Sequence, residues 1–386
     1  MNLNDYFDPV SLEKTSVDIL IPKKEFGRNI FVHTTNGEIK EIENFDIALI
    51  GVPEDRNSGN IGSALAPDKI RQYLYKLYKP WKKTRIIDLG NLKKGPSAED
   101  SYFGLRDVLF ELFSKNLIPV IVGGSQDITY GALLAYENLQ KPINLVSIDS
   151  KIDFRAKSKK MSSENYLQHI INQKTKYLSC YSNIGHQVYF TDPADLELLK
   201  NLYFDTIRLG EARSDLRNLE PVLRDADLIS LDMSAVRQSD APGHYYPSPN
   251  GFYGEEICQI AKYAGISDQL SAFILSEINP QFDHNNQSAH LGAQVLWYFI
   301  DGFSQKKIEK PGDSEDFTKY IVSLDSIEQD LAFYKSEQTD RWWIEIPFLK
   351  KKNKPALLIS CSYQDYLNAG KQEIPDRWWK AFQRIN

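Results

Sequence analysis

Short runs of apolar and β-branched residues recur along the chain: FDIALIGVP (45–53), RIIDLG, IPVIVGG (118–124), INLVSIDS, FDTIRLGE, DLISLDMS (227–234) and LSAFILSEINP (270–280). They are apolar at nearly every position rather than at every second one, which suits strands covered on both faces, as in a parallel sheet between helical layers. Between them the spacing becomes helical. Leu105, Val108, Leu109, Leu112 and Phe113 fall at i, i+3, i+4, i+7 and i+8. Ile70, Tyr73, Leu74, Leu77 and Tyr78 repeat that stripe, with Pro67 where a first helical turn tolerates it. The pattern predicts a three-layer α/β/α domain with a mainly parallel sheet over 45–303, preceded by an N-terminal segment, 1–44.

After VLWYFIDGF (295–303) the periodicity breaks into SQKKIEKPGDSED, a charged stretch with a Pro-Gly pair that reads as a linker. A C-terminal extension, 304–386, follows. It holds one candidate strand, PALLISCS, and the string DRWW twice, at 340–343 and 376–379. The flanks differ, IEIPF after one copy and KAFQRI after the other, which argues against a repeat unit. Trp342, Trp343, Trp378 and Trp379 are expected to anchor the extension on the main domain. The alternative is a partner interface, since tryptophan and arginine are enriched at binding hot spots.

Composition narrows the partners. With 42% hydrophobic and 25% charged residues and a net charge of -6, the chain is a globular protein that does not favour nucleic acid or an anionic membrane. Small cationic ligands remain. Cys180, Cys258 and Cys361 are too few and too scattered for a disulfide framework, and the opening MNLNDYFDPVSLEKTSVDIL lacks a basic-then-apolar signal. These features predict a cytoplasmic protein without a membrane span.

Candidate chemistry gathers at four strand ends: VGGSQDITYG, SIDSKIDFR, SLDMSAVRQSDAPG and SEINPQFD. In an open parallel sheet, ligands bind beyond the carboxyl ends of strands. If VSIDSKIDFR (146–155) stays extended, Asp149, Lys151 and Asp153 project to one side and converge. A strand, two glycines and a helix start at VGGSQD also raise an anion-binding reading, although neither G-x-G-x-x-G nor G-K-[ST] is present.

Taken in order, these strings resemble the ureohydrolase family of arginase, agmatinase and formimidoylglutamase, whose motifs are G-G-D-H or G-G-x-H, D-A-H-x-D, S-x-D-x-D with A-P-G following, and E-x-N-P. IGVPEDRNSGNIGSALAPDKIR (50–71) is similar to the family's G-V-P loop. The resemblance implies an arginase-like fold and a two-manganese centre held by two histidines and four aspartates. It also implies a bridging hydroxide that attacks a guanidinium or formimino carbon.

Position by position, the chain departs from that pattern. Gln126 replaces the first histidine and Lys151 the second; Asp149, Asp153 and Asp232 are kept; Ser234 replaces an aspartate, and Arg237 stands where the family usually has another. The three aspartates carry -3 and a protonated Lys151 returns +1, and the remaining -2 balances one divalent ion, not two. The reading adopted is therefore a metal-free acid–lysine cluster, with the lysine a fixed cation in a metal's place. The alternative is at most one divalent cation, Mn, Mg or Ca, on the three aspartates, with Gln126 and Ser234 as weak neutral ligands.

At the substrate end, Glu277 matches the glutamate that receives the amidino or guanidino group. Asn165 and Gln168, in MSSENYLQHI, are similar to a formimidoylglutamase substrate segment, and His244 follows the DAPG loop near the mouth. The resemblance thus implies a ureohydrolase relative that has lost two-metal hydrolysis, binding a small guanidino, amidino or formimino ligand or serving in an assembly. The competing expectation is an active hydrolase of linear amidines, acting through Asp149, Lys151, Asp153 and Asp232 with one metal or none. A homo-oligomer is expected by the same analogy.

Overall fold

The computed structural model describes residues 1–11, 24–154, 160–311, 316–327, 329–349 and 355–386. Part of the expected linker, 312–315, lies outside the described residues.

Eight parallel strands form the frame: β1 (Ile47–Val52), β2 (Ile86–Leu92), β3 (Ile118–Gly123), β4 (Ile143–Ile148), β5 (Leu178–His186), β6 (Asp205–Arg208), β7 (Leu228–Asp232) and β8 (Ala272–Ser276). Their order across the sheet is 2-1-3-8-7-4-5-6. The continuous apolar runs explain this arrangement, since β1, β7 and β8 are buried at every position and helices cover both faces. The strand LSCYSNIGH, β5, did not stand out in the sequence because serine, cysteine and asparagine interrupt its apolar pattern. Phe7–Asp8 adds an antiparallel edge strand to β2, so the N-terminal segment seals one margin of the sheet.

Helix α1 (Ala66–Leu74) carries Pro67 in its first turn as the spacing predicted, and α2 (Ala98–Ser114) starts with a reciprocal Ser97–Asp100 cap. Helix α3 (Ile128–Asn138) follows β3. One buried ion pair ties α1 to the sheet: Arg71 Nε and Nη2 donate to the two Asp88 oxygens at 2.8 and 2.9 Å, and the Tyr75 hydroxyl donates to Asp88 Oδ2 at 2.7 Å.

The extension is a four-stranded antiparallel sheet, β9 (Phe317–Val322), β10 (Leu331–Ser336), β11 (Trp342–Ile346) and β12 (Leu357–Cys361), with two further helices, Tyr363–Gly370 and Asp376–Ile385. It has its own core around Leu331, Phe333, Ile344 and Trp378. It docks at the amino ends of the main strands through Lys380 to Asp205 at 2.8 Å and Arg377 to Asp225 at 3.1 Å. The buried Arg224 guanidinium stacks 4.4 Å from the Trp343 ring. Of the four tryptophans, Trp342 and Trp378 serve the extension's own core, Trp343 joins the two units, and Trp379 is exposed. The interface expectation therefore narrows to Trp379. No helix among the described residues is long and apolar enough to cross a membrane.

Removing one member of a buried, doubly bonded ion pair strands the other charge. Arg71→Met is expected to cost about 3–5 kcal/mol of stability, and adding Asp88→Leu should recover much of it. Urea-denaturation midpoints of the single and double variants check this; equal midpoints for wild type and Arg71→Met would refute it.

Candidate functional site

Strands β3, β8, β7 and β4 lie side by side, and their carboxyl ends carry the residues the motifs singled out. Asp149 and Asp232 leave β4 and β7 in the same way. Each carboxylate turns back on the N–H two residues ahead: Lys151 N donates to Asp149 Oδ1 at 2.8 Å, and Ser234 N to Asp232 Oδ1 at 2.5 Å. That local bond ends extended backbone.

The local bond changes how the three residues meet. Because β4 stops at Ile148 and the chain turns, Asp149, Lys151 and Asp153 do not alternate along a strand. Asp153 returns to share a hydrogen bond with the Asp149 carboxyl. Lys151 Nζ lies 5.9 Å from the centroid of the Phe190 ring. It forms no ion pair within 4.0 Å among the described residues, yet its charge opposes the rise in pKa of Asp149, Asp153 and Asp232.

Glu277 is held by its surroundings in a left-handed backbone conformation, φ 64°, which a non-glycine residue adopts at some energetic cost. Its N–H donates to Gly124 O at 2.8 Å. Gly124 is required there, since a Cβ would lie 2.1 Å from the Glu54 carbonyl oxygen. The carboxylate accepts Gln126 N at 2.8 Å and Asn60 Nδ2 at 3.0 Å, with Ser58 Oγ at 3.5 Å. Glu277 therefore occupies the donor that a phosphate at VGGSQD would need, and the anion-binding reading of that turn falls.

His244 stands with its Nε2 3.9 Å from Glu277 Oε2. Its pKa is lowered to about 4, chiefly by burial and then by the Lys151 charge. Nδ1 accepts the Tyr246 N–H at 3.0 Å, so the neutral ring carries its proton on Nε2, facing Glu277.

Burial raises the pKa of every acid here. Asp149 is pushed up to about 7, by burial and then by the Asp232 charge; Asp232 rises to about 6 through burial. Asp153 and Glu277 rise well above the ordinary carboxylate range, again by burial first and then by a neighbouring aspartate. The result is a buried acidic pocket with no cation in direct contact among the described residues.

Other sequence candidates are placed differently. Gln126 is fully buried and both ends of its amide lack a partner among the described residues. Ser234 turns its hydroxyl to Ser150 Oγ at 3.2 Å. Asn165 is buried and structural: its Oδ1 accepts Ser162 N at 2.7 Å and its Nδ2 donates to Lys160 O at 2.8 Å, which closes the loop and does not present a ligand contact. Gln168 lies on the following helix, Tyr166–Lys174, with its Oε1 unpartnered and no bond to the acidic residues. The residues sequence reasoning missed are Asn60 and Ser58. The G-V-P loop carried them in plain sight, but only the fold brings that loop against Glu277.

These side chains do not supply the donors of a two-manganese centre. No imidazole stands among the carboxylates except His244, whose Nδ1 is occupied. Among the described residues no three His, Cys, Asp or Glu side chains are arranged to hold a metal ion.

A family model, "Arginase family", matches residues 45–301. Formimidoylglutamase of Lysinibacillus sphaericus is 27% identical over 258 residues, 63% of this chain and 79% of that protein. The Staphylococcus haemolyticus formimidoylglutamase is 23% identical, over 70% of this chain and 93% of its own. Among solved structures, Trypanosoma cruzi formiminoglutamase with Mn2+ superposes with a TM-score of 0.65 at 18% identity, covering 70% of this chain and 97% of that one. Agmatine ureohydrolase of Thermoplasma volcanium gives 0.59 at 21%, covering 76% and 97%. The structural likenesses establish a shared fold.

Acids with raised folded pKa values bind more protons in the native state than in the unfolded one between about pH 4 and 7. Their contribution to stability therefore falls as pH rises through that window. Asp153→Asn, which removes one titrating group and keeps a hydrogen-bonding side chain, is expected to flatten the decline. Denaturation midpoints from pH 4.5 to about 7.5 test this, and parallel profiles for the two proteins would count against it.

Proposed function

Since the chain belongs to the arginase family, we propose that it uses the ureohydrolase fold as a receptor for a small guanidino, amidino or formimino cation. In this reading it has lost two-manganese hydrolysis. The observation that carries it is the acidic pocket itself: Asp149, Asp153, Asp232 and Glu277 are buried together, and none of them forms an ion pair with a lysine or arginine within 4.0 Å among the described residues. A planar cationic fork entering beside Glu277 supplies the missing counter-charge, and the paired oxygens of a fixed carboxylate suit its geometry. Asn60 and the Gln126 N–H hold that carboxylate in place before the ligand arrives.

The same geometry bears on turnover. Hydrolysis needs a group that takes a proton from water. His244 has its one lone-pair nitrogen bonded to the Tyr246 N–H, which leaves the buried carboxyls, Asp149 with its pKa pushed up to about 7 first among them, as the groups that could do so. The receptor reading therefore rests on Gln126, Lys151 and Ser234 standing where the family has metal ligands.

A second reading rests on Gln126, whose buried amide has no partner among the described residues. Its Oε1 would join oxygens of Asp149, Asp153 and Asp232 around one hard divalent cation, Mn, Mg or Ca, once those carboxylates rearrange from their present bonds. When bound, such an ion would polarise a carbonyl-like centre or lower the pKa of water. In that reading the chain is a one-metal hydrolase of linear amidines.

Calorimetry with guanidinium, agmatine and arginine, alongside assays for urea, ammonia and formamide, separates these readings. One saturable cation site, weakened at least about tenfold by Glu277→Gln and without product release, is the expected result. Turnover abolished by Asp232→Ala, or two manganese ions per chain after loading, would sink the receptor reading.

A further inference from the structure

A second cavity lies outside the acidic pocket. It is an open cleft of about 680 Å³ beyond β5 and β6, between Gln187–Tyr189, Arg208–Arg213 and Pro249–Tyr253, with Arg237 on its wall. That volume is in the range of small-molecule sites. Nothing in the proposed function uses it.

Three guanidinium groups converge there: Arg208, Arg213 and Arg237. Arg213 and Arg237 each place their guanidinium carbon 3.9 Å from the centroid of the Tyr253 ring. Two planar groups at that distance cannot share one face, so the ring is held between them. Each is also tethered by its Nε, Arg213 to Glu256 at 3.0 Å and Arg237 to Asp240 at 2.9 Å. Stacking and tethers fix the orientation of both forks and leave their terminal N–H groups for a ligand.

The charges of the cleft can be counted. Glu256 and Asp240 balance Arg213 and Arg237, and Glu211 stands exposed on the rim. Arg208 is exposed and forms no ion pair within 4.0 Å among the described residues, with Glu211 or any other acid. His186 also lines the cleft; it is buried, and its Nδ1 has no hydrogen-bond partner among the described residues. Buried polar atoms of this kind are normally satisfied.

The walls are not purely polar. Val188, Tyr189, Leu209, Pro249 and Tyr253 contribute apolar surface, which favours an organic body over an inorganic ion. Gln187 Nε2 closes one side by donating to Asn250 O at 3.0 Å.

We infer that this cleft is a binding site for a small organic oxyanion, a carboxylate or a phosphate ester, held by the forks of Arg213 and Arg237 with Arg208 as counter-charge. A bidentate guanidinium contact accepts either oxyanion. The site is separate from the acidic pocket, so its occupancy does not depend on that pocket's function.

Titration calorimetry of the full chain with ribose 5-phosphate, 2-oxoglutarate and inorganic phosphate tests it. One of the two organic probes should saturate a single site, binding at least about tenfold tighter than inorganic phosphate, and which one binds identifies the oxyanion. Arg208→Ala should weaken that probe about tenfold. Arg237→Lys keeps the charge but not the fork, and should weaken it comparably, with a cooperative thermal transition showing that the variant is folded. Asp232→Asn should change nothing. Absence of saturable binding by both organic probes up to about 10 mM, or binding unaffected by the two arginine variants, would overturn the assignment.

Discussion

Crowded, desolvated negative charge at one edge of a parallel sheet is the constraint around which this molecule is organised. Four adjacent strands, β3, β8, β7 and β4, deliver Gln126, Glu277, Asp232 and Asp149 to one place. Neighbouring strands are about 4.8 Å apart, so carboxylates at their ends cannot avoid one another. Each must then be stabilised locally, shared through a proton, or balanced by something that enters from outside. The structure uses the first two. Asp149 and Asp232 accept backbone N–H groups two residues ahead, while Asp153 and Asp149 share a hydrogen bond.

The energetic price of that arrangement appears in the backbone as well. Glu277 is held in a left-handed conformation by Gly124 O, Gln126 N and Asn60. Strain that persists only because surrounding bonds enforce it is characteristic of residues that meet a ligand. Asn60 is itself fixed by Asn279 Nδ2 at 3.0 Å, so the G-V-P loop and the E-x-N-P string hold each other. Their partnership places the Glu277 carboxylate on a rigid support.

The two edges of the sheet do different work. The extension covers the amino ends, where Lys380 and Arg377 meet Asp205 and Asp225, and so lies on the side away from the acidic pocket. The carboxyl edge stays open and carries opposite chemistries: carboxylates at the centre, beside β7 and β4, and guanidinium groups farther out, beyond β5 and β6. Separation of this kind keeps acids and arginines from simply neutralising one another. It permits ligands of different charge to be received on one face.

Much of this was legible in the residues. Unbroken apolar runs determined buried parallel strands, the i, i+3, i+4 stripes determined covering helices, and the kept and lost motif positions located the acidic pocket, because these depend on side-chain chemistry and local period alone. Where context decides, the chain was silent. DRWW forms part of a strand at Trp342–Ile346 and opens a helix at Asp376–Ile385, the same four residues taking whichever conformation their neighbours bury. Asp149, Lys151 and Asp153 read as alternating along one strand, yet one hydrogen bond from the Lys151 N–H to Asp149 ends the strand at Ile148 and breaks that alternation. Asn60 and the arginines of the cleft lie far in sequence from the groups they meet. The sequence by itself determined which chemical groups the protein has and which layers they belong to; only the tertiary structure decided which of them touch, because contact depends on where loops from separate strands come to rest.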